Sequence, residues 1–258
     1  MVAAVLRRGN ATGSLGALGI LRRLIARVSN AFPKARIRVR LDGGFASPAV
    51  LYFLDCQPKV EYLVNMVANA VLKRKVKTAM KWSRHASELS GQTEHVYGEC
   101  QYATKKTWPW KRRIIYKAEV VRAANKEPKD NPRFVVTNLK QSPQWIYEQV
   151  YCQRGDVENR IKELHDGMQI GRTSCSNFLA NTFRVLLTAA AHGLMQEMRL
   201  GLARTHHARA QVATLREHFL KLALRWWSVR RIVLHLPQAF PYRDSFHRLA
   251  LSLGAQSG

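Results

Sequence analysis

Apolar and polar residues follow two different periods along the first part of the chain. AAVL at 3–6 is a short apolar run that predicts a strand, and a turn follows it. Beyond the turn, apolar residues recur every three or four positions, which predicts an amphipathic helix that ends before Pro33. These residues are Leu15, Leu18, Leu21, Ile25 and Val28. IRVRLDGGF at 37–45 instead alternates apolar and basic residues up to Asp-Gly-Gly, which predicts a strand and its end.

The next segments repeat the order of helix and strand. Pro48 is typical of the first turn of a helix, which we predict at 49–56. VEYLVNM at 60–66 predicts a second strand, and 69–87 predicts a basic, exposed helix. This part of the chain is therefore expected to form an α/β structure.

The pattern becomes richer in strands after residue 93. Three strand-like runs, separated by turns rich in Pro, Asn and Lys, predict a small antiparallel sheet; they are YGECQYAT, RRIIYKAEVV and RFVVTNL. Helices are predicted at 143–165, 176–200, 208–223 and 226–235. The order predicts an α/β core at 1–93, a β-strand insertion at 94–140, the remainder of the core at 141–200 and a C-terminal helical region at 201–258.

Composition adds one strong constraint, which is charge. The chain has 42 Lys and Arg residues against 17 Asp and Glu residues, a net charge of +25 that favours a polyanionic partner such as DNA or RNA. The weakly polar stretch near 185–195 is much shorter than the roughly 20 residues that span a membrane. The start of the chain does not resemble a signal peptide, so we expect a cytoplasmic protein without membrane attachment. The four cysteines are too widely spaced for a zinc site.

The segment YCQRGDVENRIKELH at 151–165 carries the clearest chemical pattern. On an α-helix that turns about 100° per residue, five polar side chains fall within about 80° of one another. They are Tyr151, Arg154, Glu158, Lys162 and His165. An apolar stripe lies to one side, so the helix could bury that stripe and direct the polar face into a cleft. On spacing alone, Arg154 and Glu158 also fit an ordinary i, i+4 surface pair worth about 0.3–0.5 kcal/mol.

This spacing of Tyr, Arg and Glu resembles the Y-R-E-K signature of insertion-sequence transposases in the DDE superfamily. With NPRFVVTNL and RTSCSNFLANTFRVLL, it is similar to the bacterial group-one transposases of the insertion-sequence-1380 type, from near residue 1 to about residue 240. His165 stands where the family has the signature Lys, and Lys162 lies one turn earlier on the same face. The resemblance implies an RNase H-like core whose carboxylates hold two divalent ions, usually Mg²⁺, for DNA cleavage and strand transfer.

The resemblance also implies which carboxylates bind metal. RVRLDGGF is similar to the run around the family's second Asp, which makes Asp42 the second carboxylate and Glu158 the third. Without the resemblance, Asp42 would be interpreted as a turn residue before Gly-Gly. No acidic residue precedes Asp42, and the first 13 residues resemble the family's third-strand region. We therefore expect an N-terminally truncated copy, an incomplete core without its first strands, poor stability and little or no strand transfer.

The resemblance further implies contacts with DNA phosphates near the cleaved end from Tyr151, Arg154, Lys162 and His165, since an Arg side chain can donate two parallel hydrogen bonds. The run KKTWPWKRR interleaves aromatic and basic residues, so Trp108 or Trp110 could stack on an extruded base. The alternative is that one of these tryptophans belongs to the core.

Three functions remain open from the sequence. The first is an impaired DDE transposase that acts on the terminal inverted repeats of an insertion sequence. The second is a non-catalytic DNA-binding fragment that binds transposon ends, or inhibits full-length transposase in mixed dimers; a homodimer is also possible. The third is a basic RNA-binding module, which the charge permits and the Y-R-E pattern does not explain.

Overall fold

The computed structural model describes residues 3–104, 107–222, 225–228 and 232–256, and for 154–156, 225–228 and 232 it describes the backbone only. The chain divides into two compact units, Arg8–Gly155 and Met1–Arg7 with Asp156–Gly258. Each unit is built around its own apolar cluster or clusters.

The first unit contains a mixed six-stranded sheet. Its strands are β1 (Ile37–Leu41), β2 (Val60–Met66), β3 (Glu94–Tyr102), β4 (Arg112–Val121), β5 (Lys129–Asp130) and β6 (Arg133–Thr137). The strand order is β1-β2-β6-β4-β3, with β5 paired to β4. The β1–β2 pair is parallel and the other pairs are antiparallel. The sheet thus begins as a parallel pair and continues as an antiparallel one.

Helices cover one face of this sheet. They are α1 (Ala17–Ala31), α2 (Pro48–Asp55), α3 (Ala70–Lys75) and α4 (Lys77–Ser90). Apolar residues of the strands, such as Tyr62 and Phe134, pack against apolar residues of the helices, such as Leu54 and Met80. Each strand supplies alternate residues to this face, which is the alternation that the sequence shows.

The opposite face of the sheet is largely polar. An apolar patch at its centre, which includes Leu63 and Val135, lies under a helical segment that includes Tyr147 and Val150. The guanidinium of Arg40 in β1 fixes this segment, because its Nη1 donates to the carbonyl of Val150 at 2.8 Å. The helical segment comprises α5 (Pro143–Trp145) and a π-helical turn, Ile146–Tyr151.

Several predicted elements are confirmed and others are wrong. The helix before Pro33 and both strands of the parallel pair form as expected. The strands after residue 93 do not form a sheet of their own; they continue the sheet that starts with β1, because β6 pairs with β2. The AAVL run at 3–6 is not a strand. The helix predicted at 69–87 breaks at Val76, which separates α3 from α4.

The helix predicted at 226–235 is also wrong. Strands β7 (Arg225–Ser228) and β8 (Ile232–His235) form an antiparallel pair there. The segment is rich in aromatic and β-branched residues, which favour strands over helices, and the helical period matched only part of it.

The second unit is mainly helical. It contains α6 (Gly155–Lys162), a π-helical turn (Glu163–Gly167), α7 (Phe178–Gly201), α8 (Val212–Leu215), a second π-helical turn (Arg216–Leu220) and α9 (Arg243–Ser252). Its core includes Met195, Leu202, Leu215, Phe219 and Leu249. Among the described residues, no helix is long and apolar enough to cross a bilayer.

His207 is a buried histidine of the second unit, and we expect it to make the stability of this unit depend on pH. His207 is 2% exposed, and its Nε2 lies 3.0 Å from Nδ1 of His218. Burial lowers the pKa of His207, and the neighbouring His206 and His218 lower it further. The unfolded chain therefore takes up a proton at a higher pH than the folded chain, and the stability contributed by neutral His207 is lost as pH falls below the unfolded value of about 6.5.

We expect His207→Phe to reduce the pH dependence of stability between pH 7 and pH 5, because Phe keeps the ring and does not titrate. Urea denaturation at several pH values measures this. The control is His247→Phe, which changes an exposed histidine on α9. Equal pH dependence in both variants and the wild type would rule out His207 as the titrating group.

Candidate functional site

Asp42 lies at the carboxyl end of β1. Strands β1 and β2 run parallel, so their carboxyl ends meet at the same edge of the sheet. Asp42 has extended backbone angles and is the N-cap of a short 3₁₀ turn, Gly43–Phe45. Its Oδ1 accepts a hydrogen bond from the Gly43 N–H at 2.7 Å, and the residue remains exposed. The strand end and the turn together hold the carboxylate at the edge of the sheet.

Asn65 of β2 is the polar neighbour of this turn. In the β1–β2 pair, Leu41 is the partner of Val64. The residues that come next in the two segments are Asp42 and Asn65, which therefore lie side by side. A Cβ built on Gly43 would lie 3.6 Å from both Nδ2 and the carbonyl oxygen of Asn65, which shows how closely the turn approaches β2. Sequence reasoning missed Asn65; the signal was its position at the end of the neighbouring strand.

The 151–165 segment is not one continuous α-helix. Tyr151 ends a π-helical turn, Cys152–Arg154 is a 3₁₀ turn in which Gln153 has a non-helical ψ of 16°, and α6 begins after it. The prediction that Tyr151 and Glu158 share one helix face assumed a constant rotation of about 100° per residue. That rotation is not constant between these two residues, so the prediction does not hold for them. The π-helical turn at Glu163–Gly167 also separates Lys162 from His165. Single-sequence periodicity cannot detect such turns, because they add a residue to one turn without interrupting the helix.

Glu158 and Lys162 are the two predicted residues that α6 places together. Both are exposed, and they are one turn apart on the same side of the helix. Lys162 also lines a shallow cleft with Asn159 and Asp166. His165 is exposed, and a Cβ built on Gly171 would lie 3.4 Å from its Nδ1, so the turn after the helix lies against the imidazole. The side chain of Arg154 lies outside the described part of the structure.

Tyr151 is half-buried in an aromatic group on the polar face of the sheet. Its ring centroid is 5.1 Å from that of Tyr147, which is 5.4 Å from that of Tyr97. Burial raises the pKa of Tyr147 to about 12. Burial, followed by the nearby Glu148 carboxylate, also raises the pKa of Tyr97. Tyr147 and Tyr97 are therefore protonated at neutral pH, and the ring of Tyr151 packs against that of Tyr147.

Trp108 belongs to the core, which is the alternative that the sequence left open. It is 8% exposed, packs edge-on against Tyr102 at 5.5 Å and has the guanidinium of Arg112 4.5 Å from its ring centroid. A base could not reach this ring without displacing Arg112. Trp108 therefore supports the loop before β4 from inside.

Trp110 differs from Trp108 in its exposure, since 42% of the residue is accessible to solvent. Its Nε1 donates to Oδ2 of Asp55 at 3.2 Å, which fixes the plane of the indole. The ring centroid of Tyr52, which is also exposed, lies 5.5 Å away. Of the two tryptophans, Trp110 is the one that presents an accessible aromatic surface.

The described residues do not assemble a complete metal site. Carboxylate and amide oxygens, such as those of Asp42 and Asn65, are ligands that Mg²⁺ accepts. Within the described part of the chain, however, no group of three His, Cys, Asp or Glu residues is arranged so that it could hold a metal ion. Asp42 lies in the first unit and Glu158 in the second. The chemistry of these donors fits a divalent ion, and the number of ligands that the described residues bring together does not.

Comparison with known proteins identifies the family. Residues 1–257 match the family described as Transposase DDE domain group 1. None of the curated proteins that were compared with the chain matches it. The family implies that its members bind DNA and a divalent metal ion. Since the match covers nearly every residue, the chain belongs to the group-1 DDE transposases.

Proposed function

We propose that this protein acts on the terminal inverted repeats of an insertion sequence as a DNA transposase with impaired cleavage. The observation that carries the proposal is the family match over residues 1–257. The position of Asp42 at the end of a parallel strand pair supports it, because the residue is exposed to solvent there.

Asp42 and Glu158 are the proposed metal-binding carboxylates, with Mg²⁺ as the expected ion. Tyr151, Arg154 and either Lys162 or His165 are the proposed contacts with DNA phosphates. We propose that Trp110 alone, without Trp108, offers a surface on which an unpaired base can stack. Cleavage is expected to be weak because the described residues bring together no group of three carboxylate, thiol or imidazole side chains that could hold a metal ion.

The proposal includes an RNase H-like core of the insertion-sequence-1380 type. The parallel β1–β2 pair with helices on one face of the sheet supports this core. Among the described residues, β1 pairs on one side only, so its other edge is open to a further strand.

A second candidate is a non-catalytic protein that binds transposon ends or forms mixed dimers with a full-length transposase. It is favoured by the lack of a three-carboxylate group among the described residues and by the net charge of +25. This candidate differs from the first in one respect: binding would not be followed by any metal-dependent cleavage.

The test uses plasmid DNA that carries both flanks of the gene, incubated with the wild type, Asp42→Asn or Glu158→Gln. We expect all three proteins to bind flank fragments in preference to scrambled fragments. Nicking by the wild type in Mg²⁺ is expected to be only slightly above its level in EDTA. Each of the two substitutions should abolish this Mg²⁺-dependent part of the nicking. Glu127→Gln, an exposed carboxylate in the first unit, is the control for the change in charge.

Each outcome has a distinct meaning. Vigorous Mg²⁺-dependent nicking that both substitutions remove would show a competent enzyme and overturn the impairment. Vigorous nicking that Asp42→Asn leaves unchanged would overturn the role of Asp42. An absence of any preference for flank DNA would overturn the action on insertion-sequence ends.

A further inference from the structure

Helices α3 and α4 carry a group of cations that no carboxylate neutralises within the described residues. Lys73, Arg74, Lys77 and Lys81 are exposed and form no ion pair there. On the polar face of the sheet, by contrast, Arg38 has a carboxylate partner, because it pairs with Glu61 at 2.7 Å. The four cations on α3 and α4, here called the α3–α4 basic surface, therefore leave their charge available to an external anion.

Helix α4 is held firmly on the sheet. Its Met80 is buried in the core, and the buried Ser83 donates from Oγ to the carbonyl of Ala118 in β4 at 2.7 Å. Lys77 and Lys81 are one turn apart and on the side of the helix that faces solvent. A rigid helix thus carries these charges, and little further ordering of the backbone is needed when they bind a partner.

The α3–α4 basic surface starts at the same edge of the sheet as Asp42. Helix α3 follows β2 after a three-residue link, and the side chain of Asn69 caps it by accepting the Leu72 N–H at 2.9 Å. The link itself approaches the Asp42 turn, since a Cβ built on Gly43 would lie 3.8 Å from Cγ2 of Val67. An elongated anion that reaches Asp42 can therefore continue past Val67 towards α3.

We propose that the α3–α4 basic surface binds the sugar–phosphate backbone of duplex DNA that leads away from Asp42. This inference rests on the proposed function, because Asp42 marks the reacting end. Helix α4 has 14 residues. At about 1.5 Å per residue and about 3.4 Å per base pair, it spans roughly six base pairs. Lysine and arginine contacts to phosphates do not depend on base sequence, so this surface binds DNA of any sequence.

An anionic membrane is the other polyanion that a basic helix can bind. Membrane-surface helices insert their apolar side into the lipid. The apolar side of α4 is not free for this, because Ala79 and Met80 pack in the core of the first unit. Trp82 and Leu89 remain exposed beside the basic residues, and for that reason vesicles form one arm of the test.

The experiment compares two variants of the full chain that each lose four positive charges. The first replaces Lys73, Arg74, Lys77 and Lys81 by Gln. The matched control replaces four other exposed lysines of the first unit by Gln: Lys34, Lys126, Lys129 and Lys140. Binding of a 25-base-pair duplex of random sequence is measured in EDTA over a series of salt concentrations, by fluorescence anisotropy. Vesicles that contain phosphatidylserine are measured in parallel.

Each phosphate contact contributes about 0.9 to the slope of log K against log salt. We expect the slope to fall by about 3 to 4 for the first variant and by less than about 1 for the control, with affinity in 0.1 M salt reduced at least about tenfold for the first variant only. The single changes Lys77→Gln and Lys81→Gln should each lower the slope by about 0.9, so the test does not depend on the folding of the fourfold variant.

Equal losses in the two fourfold variants would show that only total charge matters and would overturn the proposal. Unchanged DNA binding with reduced vesicle binding would overturn it in favour of a membrane. Because the assay contains no metal and no cleavage step, its result is independent of the nicking assay. A protein that fails to nick can still bind duplex DNA through this surface. A protein that nicks can likewise lack this binding surface.

Discussion

Replacement of Glu163 by Ala is expected to lower the free energy of unfolding of the second unit by about 3–5 kcal/mol, because it leaves a buried cation unpaired. The Glu163 side chain is 6% exposed and that of Arg199 is 8% exposed. Glu163 Oε1 accepts from Arg199 Nη2 at 2.9 Å and from the Val212 N–H at 3.3 Å. Its Oε2 accepts from Arg160 Nη1 at 2.8 Å. One carboxylate therefore joins the helical segment after α6 to α7 and to the start of α8.

The measurement is hydrogen exchange of α7 amides in urea, which reports on this unit directly. Glu217→Ala is the control, because Glu217 pairs with Lys221 at i, i+4 and both are more than half exposed. Its expected cost is small, because solvent screens a pair in which both side chains are exposed. The double change Glu163→Leu with Arg199→Met should recover most of the loss, since it removes both buried charges. If Glu163→Ala costs no more than Glu217→Ala, Glu163 does not hold the unit together.

The fold could be predicted from the sequence where burial follows one simple period. Helix α1 and strands β1 and β2 have an apolar side that repeats regularly, so their positions are predicted correctly. The pairing of β6 with β2 could not be predicted, because it joins residues more than 65 positions apart and depends on which strand edges are open. The β7–β8 pair has apolar and aromatic residues at spacings that fit a short helix as well as a strand.

In the candidate site, too, some features could be predicted from the sequence and others could not. Asp42 could be predicted, since a strand followed by Asp-Gly-Gly places the carboxylate at a sheet edge whatever its chemistry. The arrangement of Tyr151 and Glu158 could not, because the 3₁₀ turn at Cys152–Arg154 changes the helix between them. Trp108 and Trp110 are two residues apart and similar in sequence context. The guanidinium of Arg112 lies near both rings, 4.5 Å from that of Trp108 and 5.4 Å from that of Trp110. The two differ in tertiary packing, because Trp108 lies in the core against Tyr102 and Trp110 stays partly exposed.

Replacement of Arg112 by Met is expected to destabilise the first unit by about 3–5 kcal/mol, because it leaves the carboxylate of Asp55 without its cation. Arg112 Nε donates to Asp55 Oδ2 at 2.8 Å, and Nη2 lies 2.7 Å from the same oxygen without the alignment of a hydrogen bond. The side chains of Arg112 and Asp55 are 2% and 14% exposed. Asp55 also accepts from the Tyr62 hydroxyl at 2.6 Å and from Trp110 Nε1 at 3.2 Å. The pair thus connects α2, β2 and the loop before β4.

Arg84→Met provides the comparison, because Arg84 and its partner Asp130 are each more than 40% exposed, and such a pair is worth about 1 kcal/mol or less. Both variants lose one guanidinium and keep an unbranched side chain. The difference between their losses in the free energy of unfolding therefore reports the effect of burying the ion pair. Urea denaturation followed by exchange of β4 amides should show a much larger loss for Arg112→Met. Equal losses would mean that solvent reaches Asp55. Tyr62→Phe should cost about 1.5–3 kcal/mol, because it removes one hydrogen bond to a charged group. A loss of the Trp110 contact is expected only in the Arg112 variant, since Asp55 then no longer has a fixed position from which to accept the indole N–H.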